Sequence, residues 1–160
     1  MSENVLNNFT YDELSVGQSA SFNKTLTQND INLFGYMSGD TNPAHFDETY
    51  AKDTVFKKVI AHGMWSGSLI SAMLGTQLPG PGTIYLNQNL SFRRPIYVGD
   101  QITVTVKVLE KLNKNKVTLE CNCINQNGEV VTTGTAEVIA PTSKVTFSSP
   151  KLQEVSVGQA

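Results

Sequence analysis

The sequence predicts an α+β fold in which an antiparallel sheet of about five strands wraps around one long buried helix. Two observations predict it. Residues 64–78 are apolar around most of a helical circumference and carry no charge, and residues 84–139 alternate apolar and polar side chains between turn signals. A helix without a charged face needs apolar cover on several sides. A strongly curved sheet is the one large apolar surface that this chain offers it.

The first elements precede the buried helix. Residues 18–26 predict a strand, and Thr27 followed by Asp30 has the spacing of a capped helix start. The predicted helix carries an apolar stripe of three residues spaced three apart: Ile31, Phe34 and Met37. Gly39 is predicted to end this helix, because glycine readily takes the positive φ of a helix terminus.

The buried helix and the strands after it complete the predicted domain. A short helical turn at residues 47–52 leads to a helix that begins near His62, and the alternating prolines and glycines of residues 79–82 end it. Four strands follow, with turns at Gly99 and at residues 127–128, where Asn-Gly is a strong hairpin signal. On the first of these strands one face is assigned four apolar residues: Ile84, Leu86, Leu90 and Phe92.

Length and composition limit the class of protein. We assign residues 1–140 to one domain and residues 141–160, with scattered Ser, Thr, Pro and Gly, to a flexible tail or linker. A net charge of -2 without a basic stripe argues against nucleic-acid binding. The chain has no apolar run of about eighteen residues and no secretory signal pattern, so we expect a cytoplasmic protein without membrane contact. Cys121 and Cys123 are predicted as core thiols, and with two histidines in the chain no metal site is expected.

The turn after Gly39 combines a carboxylate, Asp40, with an imidazole, His45. Asn42 favours turns, and Pro43 fixes its own φ while moving Asn42 out of the helical region. A spacing of five places two side chains on different faces of a regular element, so only a tight loop lets both point at one spot. Such a pair can handle water as acid and base. The structural alternative is that Asp40 caps the helix and His45 packs against an aromatic neighbour.

Four segments, taken in order, are similar to those of a known family. Residues 36–45 (YMSGDTNPAH), followed by Ala51, resemble the hydratase motif of the MaoC-like group of hot-dog-fold proteins, specifically the (R)-specific enoyl-CoA hydratases. Three further segments resemble that family's helix start, helix exit and strand-turn region: residues 60–64 (IAHGM), 78–82 (LPGPG) and 92–100 (FRRPIYVGD). The resemblance covers residues 10–140 and departs at Ala44, where larger aliphatic residues are usual.

The resemblance implies reversible addition of water to trans-2-enoyl-CoA, giving (R)-3-hydroxyacyl-CoA without a cofactor or metal. This reaction needs a base for the water, an acid for the α carbon and a donor for the enolate-like oxygen. Asp40 and His45 suit the first two tasks, and which of them is the base stays open because coupled groups share their titration. The backbone N–H of Gly63, at the start of the buried helix, is the candidate donor. A glycine there is expected to let the thioester approach.

Five other residues each have two interpretations. His62 is either a helix-start residue bonded to backbone or a catalytic group. Arg93 and Arg94 either contact the phosphates of coenzyme A or are solvated at a strand end. Phe34 and Trp65 either line the acyl pocket or pack in the core.

Other functions and an assembly state also follow from the sequence. The alternatives to a hydratase are an acyl-CoA thioesterase, a 3-hydroxyacyl dehydratase acting on acyl carrier protein, and a non-catalytic acyl-binding module, because a fold does not fix a reaction. A sheet of about five strands leaves exposed edges, and pairing two copies edge to edge would cover them. We therefore expect a homodimer or a higher homo-oligomer.

Overall fold

The computed structural model describes residues 5–157, so residues 1–4 of the predicted domain and 158–160 of the predicted tail lie outside the described residues. The strands are β1 (Val5–Asn7), β2 (Ser19–Thr25), β3 (Ile84–Phe92), β4 (Gln101–Lys111), β5 (Lys116–Ile124), β6 (Val130–Ile139) and β7 (Thr146–Ser148). The helices are α1 (Gln28–Ser38), α2 (Glu48–Asp53) and α3 (Gly63–Thr76), with 3₁₀ turns at Tyr11–Glu13 and Pro43–His45. None of the helices in this range is long and apolar enough to cross a membrane.

The main sheet has five antiparallel strands in the order β2-β4-β5-β6-β3. Helix α3 packs against the buried face of this sheet, and its apolar side chains share one core with alternate residues of β4, β5 and β6. The helix contributes Trp65, Leu69, Ile70, Met73 and Leu74 to that core. The α+β arrangement of five strands around one buried helix is therefore confirmed.

Helix α1 begins and ends as its sequence predicts. The Thr27 hydroxyl accepts a hydrogen bond from the Asp30 amide at 3.1 Å, and the Asp30 carboxylate accepts one from the Thr27 amide at 2.8 Å. Gly39 closes the helix with φ of 75°. The apolar stripe is shorter than predicted, because Met37 is 72% exposed. The last turn of α1 therefore leaves the core and carries the chain toward the surface.

A β-bulge in β3 changes the predicted faces of that strand. The register with β6 shifts between Tyr85 and Asn87, so Leu86 is the extra residue. Tyr85 lies opposite the fully buried Val138, whereas Ile84 lies opposite Ile139 on the other face. The assignment of Ile84 to the same face as Leu90 was therefore wrong, since a bulge inverts the alternation of all residues before it. Burial raises the pKa of Tyr85 to about 12.

The segment predicted as a flexible tail contains ordered structure. Strand β7 pairs antiparallel with β1 in a second, two-stranded sheet. The fully buried Asn8 holds this region together: its amide nitrogen donates to the carbonyls of Pro81 and Ser143 at 3.0 and 2.9 Å, and its oxygen accepts from the Val145 amide at 3.0 Å. Flexibility of the rest of residues 141–160 stays a prediction.

We expect Asn8→Ala to lower the free energy of unfolding by about 2 kcal/mol. The substitution removes three hydrogen bonds from a buried site, and the backbone groups that bonded to the side chain lose that partner. Asn7→Ala is the matched control. Asn7 is exposed and its side chain accepts one hydrogen bond, from Thr146 Oγ1 at 2.7 Å, so we expect a change within about 0.5 kcal/mol. Urea unfolding of both variants tests this, and equal effects would contradict the role assigned to Asn8.

The two cysteines are core thiols, as predicted. Cys121 and Cys123 are free and fully buried on β5. Burial raises the pKa of the Cys121 thiol to about 11 and that of Cys123 to about 12. Both thiols are therefore protonated and poorly nucleophilic near neutral pH.

Candidate active site

The turn between α1 and the 3₁₀ turn Pro43–His45 fixes the position of Asp40. The backbone N–H of Asn42 donates a hydrogen bond to Asp40 Oδ1 at 3.1 Å, which holds the carboxylate over the turn. Asn42 also caps the 3₁₀ turn, because its side-chain oxygen accepts from the Ala44 amide at 3.0 Å. Pro43 takes the first position of that turn, where it needs no amide hydrogen. Asp40 itself is exposed to solvent.

His45 is held in one orientation by a distant backbone carbonyl. Its ring is buried, and Nδ1 lies 2.8 Å from the carbonyl oxygen of Ile60. A carbonyl can only accept, so Nδ1 carries the hydrogen, and in the neutral ring Nε2 has a free lone pair. The Ile60 amide in turn donates to the Ala44 carbonyl at 3.2 Å. This pair of contacts ties the turn to the chain segment that enters α3.

The two predicted dyad residues converge. One carboxylate oxygen of Asp40, one ring nitrogen of His45 and one ring nitrogen of His62 lie within 4.8 Å of one another. Two hydrogen bonds of about 2.8 Å each can bridge groups up to about 5.6 Å apart. The spacing therefore suits one water molecule bonded to both Asp40 and His45. Asp40 is exposed to solvent at one side of the site, and His45 is buried at the other.

A close contact that the sequence analysis missed packs the turn against α1. Gly35 lies inside α1, and a Cβ on this residue would lie 2.4 Å from Cζ of Phe46. The Phe46 ring therefore occupies the space of the absent side chain, directly after His45. A glycine within an otherwise helical pattern was the available signal for such a contact.

His62 contacts both members of the dyad. It is the N-cap of α3, and its Nε2 lies 3.0 Å from the carbonyl oxygen of Asp40. Its ring stacks on that of His45, with centroids 3.8 Å apart and an angle of 28° between the planes. Burial lowers the pKa of His62, and the nearby His45 lowers it further. The side chain of His62 therefore bonds to the backbone of Asp40, and the choice between its two interpretations stays a prediction.

Gly63 is the first residue of α3, it directly follows His62, and it is exposed. Among residues 5–157 its amide has no hydrogen-bond acceptor, as expected at a helix N-terminus. The space of its absent side chain is filled by Phe92 of β3, whose ring lies 3.2 Å from the position of a Cβ. Phe92 thus packs closely against Gly63, and approach of a thioester to Gly63 stays a prediction.

The remaining predicted residues lie at different depths around the site. Phe34 is half-buried, and its ring centroid is 4.8 Å from that of His62. Trp65 is 5% exposed and belongs to the core cluster. Arg93 and Arg94 follow β3 and are exposed, and Arg94 Nε lies 3.5 Å from a carboxylate oxygen of Glu129. Phe34 therefore lies beside His62, and Arg94 pairs with an acidic neighbour.

In the described part of the chain, one cluster of three side chains could also hold a metal ion: Asp40, His45 and His62. Their types would suit a divalent transition metal such as zinc. Each histidine already has one ring nitrogen bonded to a carbonyl, which leaves one nitrogen per ring for any other partner. The chemistry of water addition proposed below uses these groups without a metal.

Comparison with known proteins shows what the chain is similar to. The chain is 50% identical over 132 residues to a protein named (R)-specific enoyl-CoA hydratase from Rhodospirillum rubrum, covering 82% of this chain and 91% of that protein. It is 40% identical over 132 residues to a 3-hydroxybutyryl-CoA dehydratase from Methylorubrum extorquens, covering 82% and 83% of the two chains.

A solved structure shows the same architecture. The unliganded R-hydratase from Pseudomonas aeruginosa matches with a TM-score of 0.92 and 47% identity, covering 97% of this chain and 100% of that chain. The likeness therefore extends past Ala140, and it confirms the hot-dog fold implied by the sequence resemblance. The family model for the MaoC like domain matches residues 13–129. This chain belongs to the family of proteins with a MaoC-like domain.

Proposed function

We propose that this chain is an (R)-specific enoyl-CoA hydratase, a carbon-oxygen lyase that adds water reversibly to trans-2-enoyl-CoA. The observation that carries the proposal is the convergence of Asp40 and His45, whose polar atoms lie within 4.8 Å on one turn. The names of the relatives at 50% and 47% identity supply the substrate class and the stereochemistry.

In the proposed reaction the dyad holds one water molecule. The water oxygen forms a bond to C3 of the enoyl group while a dyad member takes one of its protons, and the dyad delivers a proton to C2. Hydrogen and hydroxyl thus add across the double bond, and no other reactant is needed. His45 can accept a proton at Nε2 because Nδ1 is held by the Ile60 carbonyl. The carboxylate of Asp40 is the second group that can carry a proton.

The thioester oxygen gains negative charge as C3 is attacked, and we assign its stabilisation to the free amide of Gly63. This amide lies at the positive end of α3 and directly follows His62. Phe92 packs on the side of Gly63 where a side chain would be, which holds this part of the backbone in place. A donor fixed in advance stabilises the developing charge without reorganisation.

Around the dyad we assign two binding regions. Phe34 is the better placed of the two acyl-pocket candidates, because it is half-buried beside His62 whereas Trp65 is buried in the core. Arg93 is the better placed candidate for coenzyme A phosphates, since Arg94 pairs with Glu129. The proposed location of the protein is the cytoplasm, where acyl-CoA thioesters are used.

The test is hydration of crotonyl-CoA by the purified protein, followed by the loss of absorbance of the conjugated thioester and by the chirality of the product. We expect (R)-3-hydroxybutyryl-CoA. Thiol release from a saturated acyl-CoA is measured in parallel and should be absent. Thiol release without hydration would replace the proposal by a thioesterase, and a preference for crotonyl-acyl carrier protein over crotonyl-CoA would change the carrier.

We also propose that two copies pair through β3. The sheet has two edges, and they differ in character. Strand β2 faces solvent with small polar residues, Ser19, Ser21, Asn23 and Thr25. Strand β3 exposes large apolar side chains, including Ile84 at 56% and Phe92 at 51%. An apolar edge strand left in water is unfavourable, so pairing with a second copy is expected at β3.

We expect the wild-type protein to sediment as a dimer or larger assembly, and Leu86→Lys on β3 to shift it toward monomer, because the charge would be buried at the interface. Leu86 is 43% exposed in the single chain. Ser21→Lys on β2 is the matched control and should leave the mass unchanged. Sedimentation equilibrium measures both, and a monomeric wild type or dissociation by Ser21→Lys would contradict pairing through β3.

A further inference from the structure

We infer that His62 is a positioning residue of the site, which holds the main chain of Asp40 by one hydrogen bond and the ring plane of His45 by one stacking contact. This inference rests on the proposed hydratase activity. It assigns to His62 a role beyond that of a residue at the start of a helix.

The hydrogen bond fixes the tautomer of the neutral His62 ring. Because the carbonyl of Asp40 can only accept, Nε2 of His62 must carry the hydrogen. The neutral ring then has its lone pair on Nδ1, and Nδ1 is buried without a hydrogen-bond partner in the part of the chain that the structure describes. The ring is 3% exposed, so solvent reaches it poorly.

A buried acceptor without a donor destabilises a fold, whereas an apolar ring of similar shape would not. His62 also gives α3 no capping hydrogen bond from its side chain. Its neighbours Phe34 and Phe46 are aromatic, with ring centroids 4.8 and 5.7 Å away. A residue selected for packing alone would therefore be apolar at this position.

The two contacts of His62 restrain the dyad in complementary ways. The hydrogen bond acts on the backbone of Asp40, whose carboxylate is exposed to solvent. The stack acts on His45 across its ring face, while the Ile60 carbonyl restrains the same ring at its edge. Together they fix the separation between the two groups that bind the water. A displacement of about 1 Å at such a site can cost about a hundredfold in rate.

Two variants separate the two contacts. His62→Phe retains an aromatic ring and loses the donor, and His62→Gln retains an amide donor and loses the ring. We expect each to lower kcat for crotonyl-CoA by about tenfold to a hundredfold with little change in KM. We expect the melting temperature of His62→Phe to stay at or above that of the wild type. A mere packing role predicts the reverse, a lower melting temperature with normal kcat.

Double variants test whether His62 acts through the dyad. In an Asp40→Asn background, His62→Phe should cause no further loss of kcat. In a His45→Ala background, His62→Gln should likewise cause no further loss of kcat. The reason is that the position of a side chain no longer affects the rate once that side chain cannot function. Asn8→Ala is the control for a buried polar residue outside the site. It removes the hydrogen bonds of Asn8 to Pro81, Ser143 and Val145, and it should lower stability with kcat unchanged.

Three results would overturn the inference alone: wild-type kcat in both single variants, a destabilised or unfolded His62→Phe protein, or losses that multiply in both double variants. An inactive wild-type protein would instead overturn the proposed function, and this inference with it.

Discussion

Asp40→Asn is expected to lower the turnover of crotonyl-CoA by about a hundredfold or more and to leave the fold intact. Asparagine has the shape of aspartate, and its side-chain oxygen can still accept the hydrogen bond that the Asn42 amide donates at 3.1 Å. The amide cannot take or deliver a proton. The variant therefore removes the chemistry of the carboxylate and keeps the geometry of the turn.

Asp47→Asn is the matched control on the same segment. Asp47 caps α2, where its carboxylate accepts from the amides of Thr49 and Tyr50 at 2.8 and 3.0 Å. Asparagine is an equally good cap, so stability and turnover should both stay close to the wild type. Initial rates at saturating substrate, together with circular dichroism of both variants, provide the measurement. Near-normal turnover in Asp40→Asn would remove the dyad from the mechanism.

The turn that carries the dyad could be predicted because its causes are local. Gly39, Asn42 and Pro43 each limit their own backbone or that of the preceding residue, so the bend is encoded within a few positions. The same holds for the capping box of α1 and for the alternation of β4 and β5, whose inward residues are fully buried. Their patterns extend over enough positions to identify the element.

What fixes the orientation of His45 could not be predicted in this way. The carbonyl of Ile60 lies 15 residues further along the chain, and a backbone acceptor has no residue signature. The contact of Phe92 with Gly63 depends likewise on the sheet returning to the start of α3. Strands β1 and β7 have three residues each, too few to show an alternation. A bulge such as that at Leu86 inverts faces without any change in composition.

Substitution of a glycine on β6 is expected to have a large effect on stability. We expect Gly134→Ala to lower the free energy of unfolding by about 3 kcal/mol or more. Gly134 lies opposite Leu90 on β3 and Cys121 on β5, and a Cβ on it would lie 1.8 Å from the backbone oxygen of Asn89 and 2.8 Å from its carbonyl carbon. Both atoms belong to the backbone of β3, so no rotation of a side chain can relieve the clash.

Gly75→Ala is the matched control, because Gly75 lies in α3 with nothing within 4 Å of the position of a Cβ. In a helix, alanine is more favourable than glycine by about 0.5–1 kcal/mol of folding free energy, so substitution by alanine at Gly75 should stabilise the protein. Urea unfolding at one fixed protein concentration compares the two variants, since an oligomer's stability depends on concentration. Displacement of β3 in Gly134→Ala should also weaken association and lower turnover, because β3 forms the apolar edge and positions Phe92 against Gly63. A Gly134→Ala protein as stable as Gly75→Ala would show that β3 can move away from β6 at little cost.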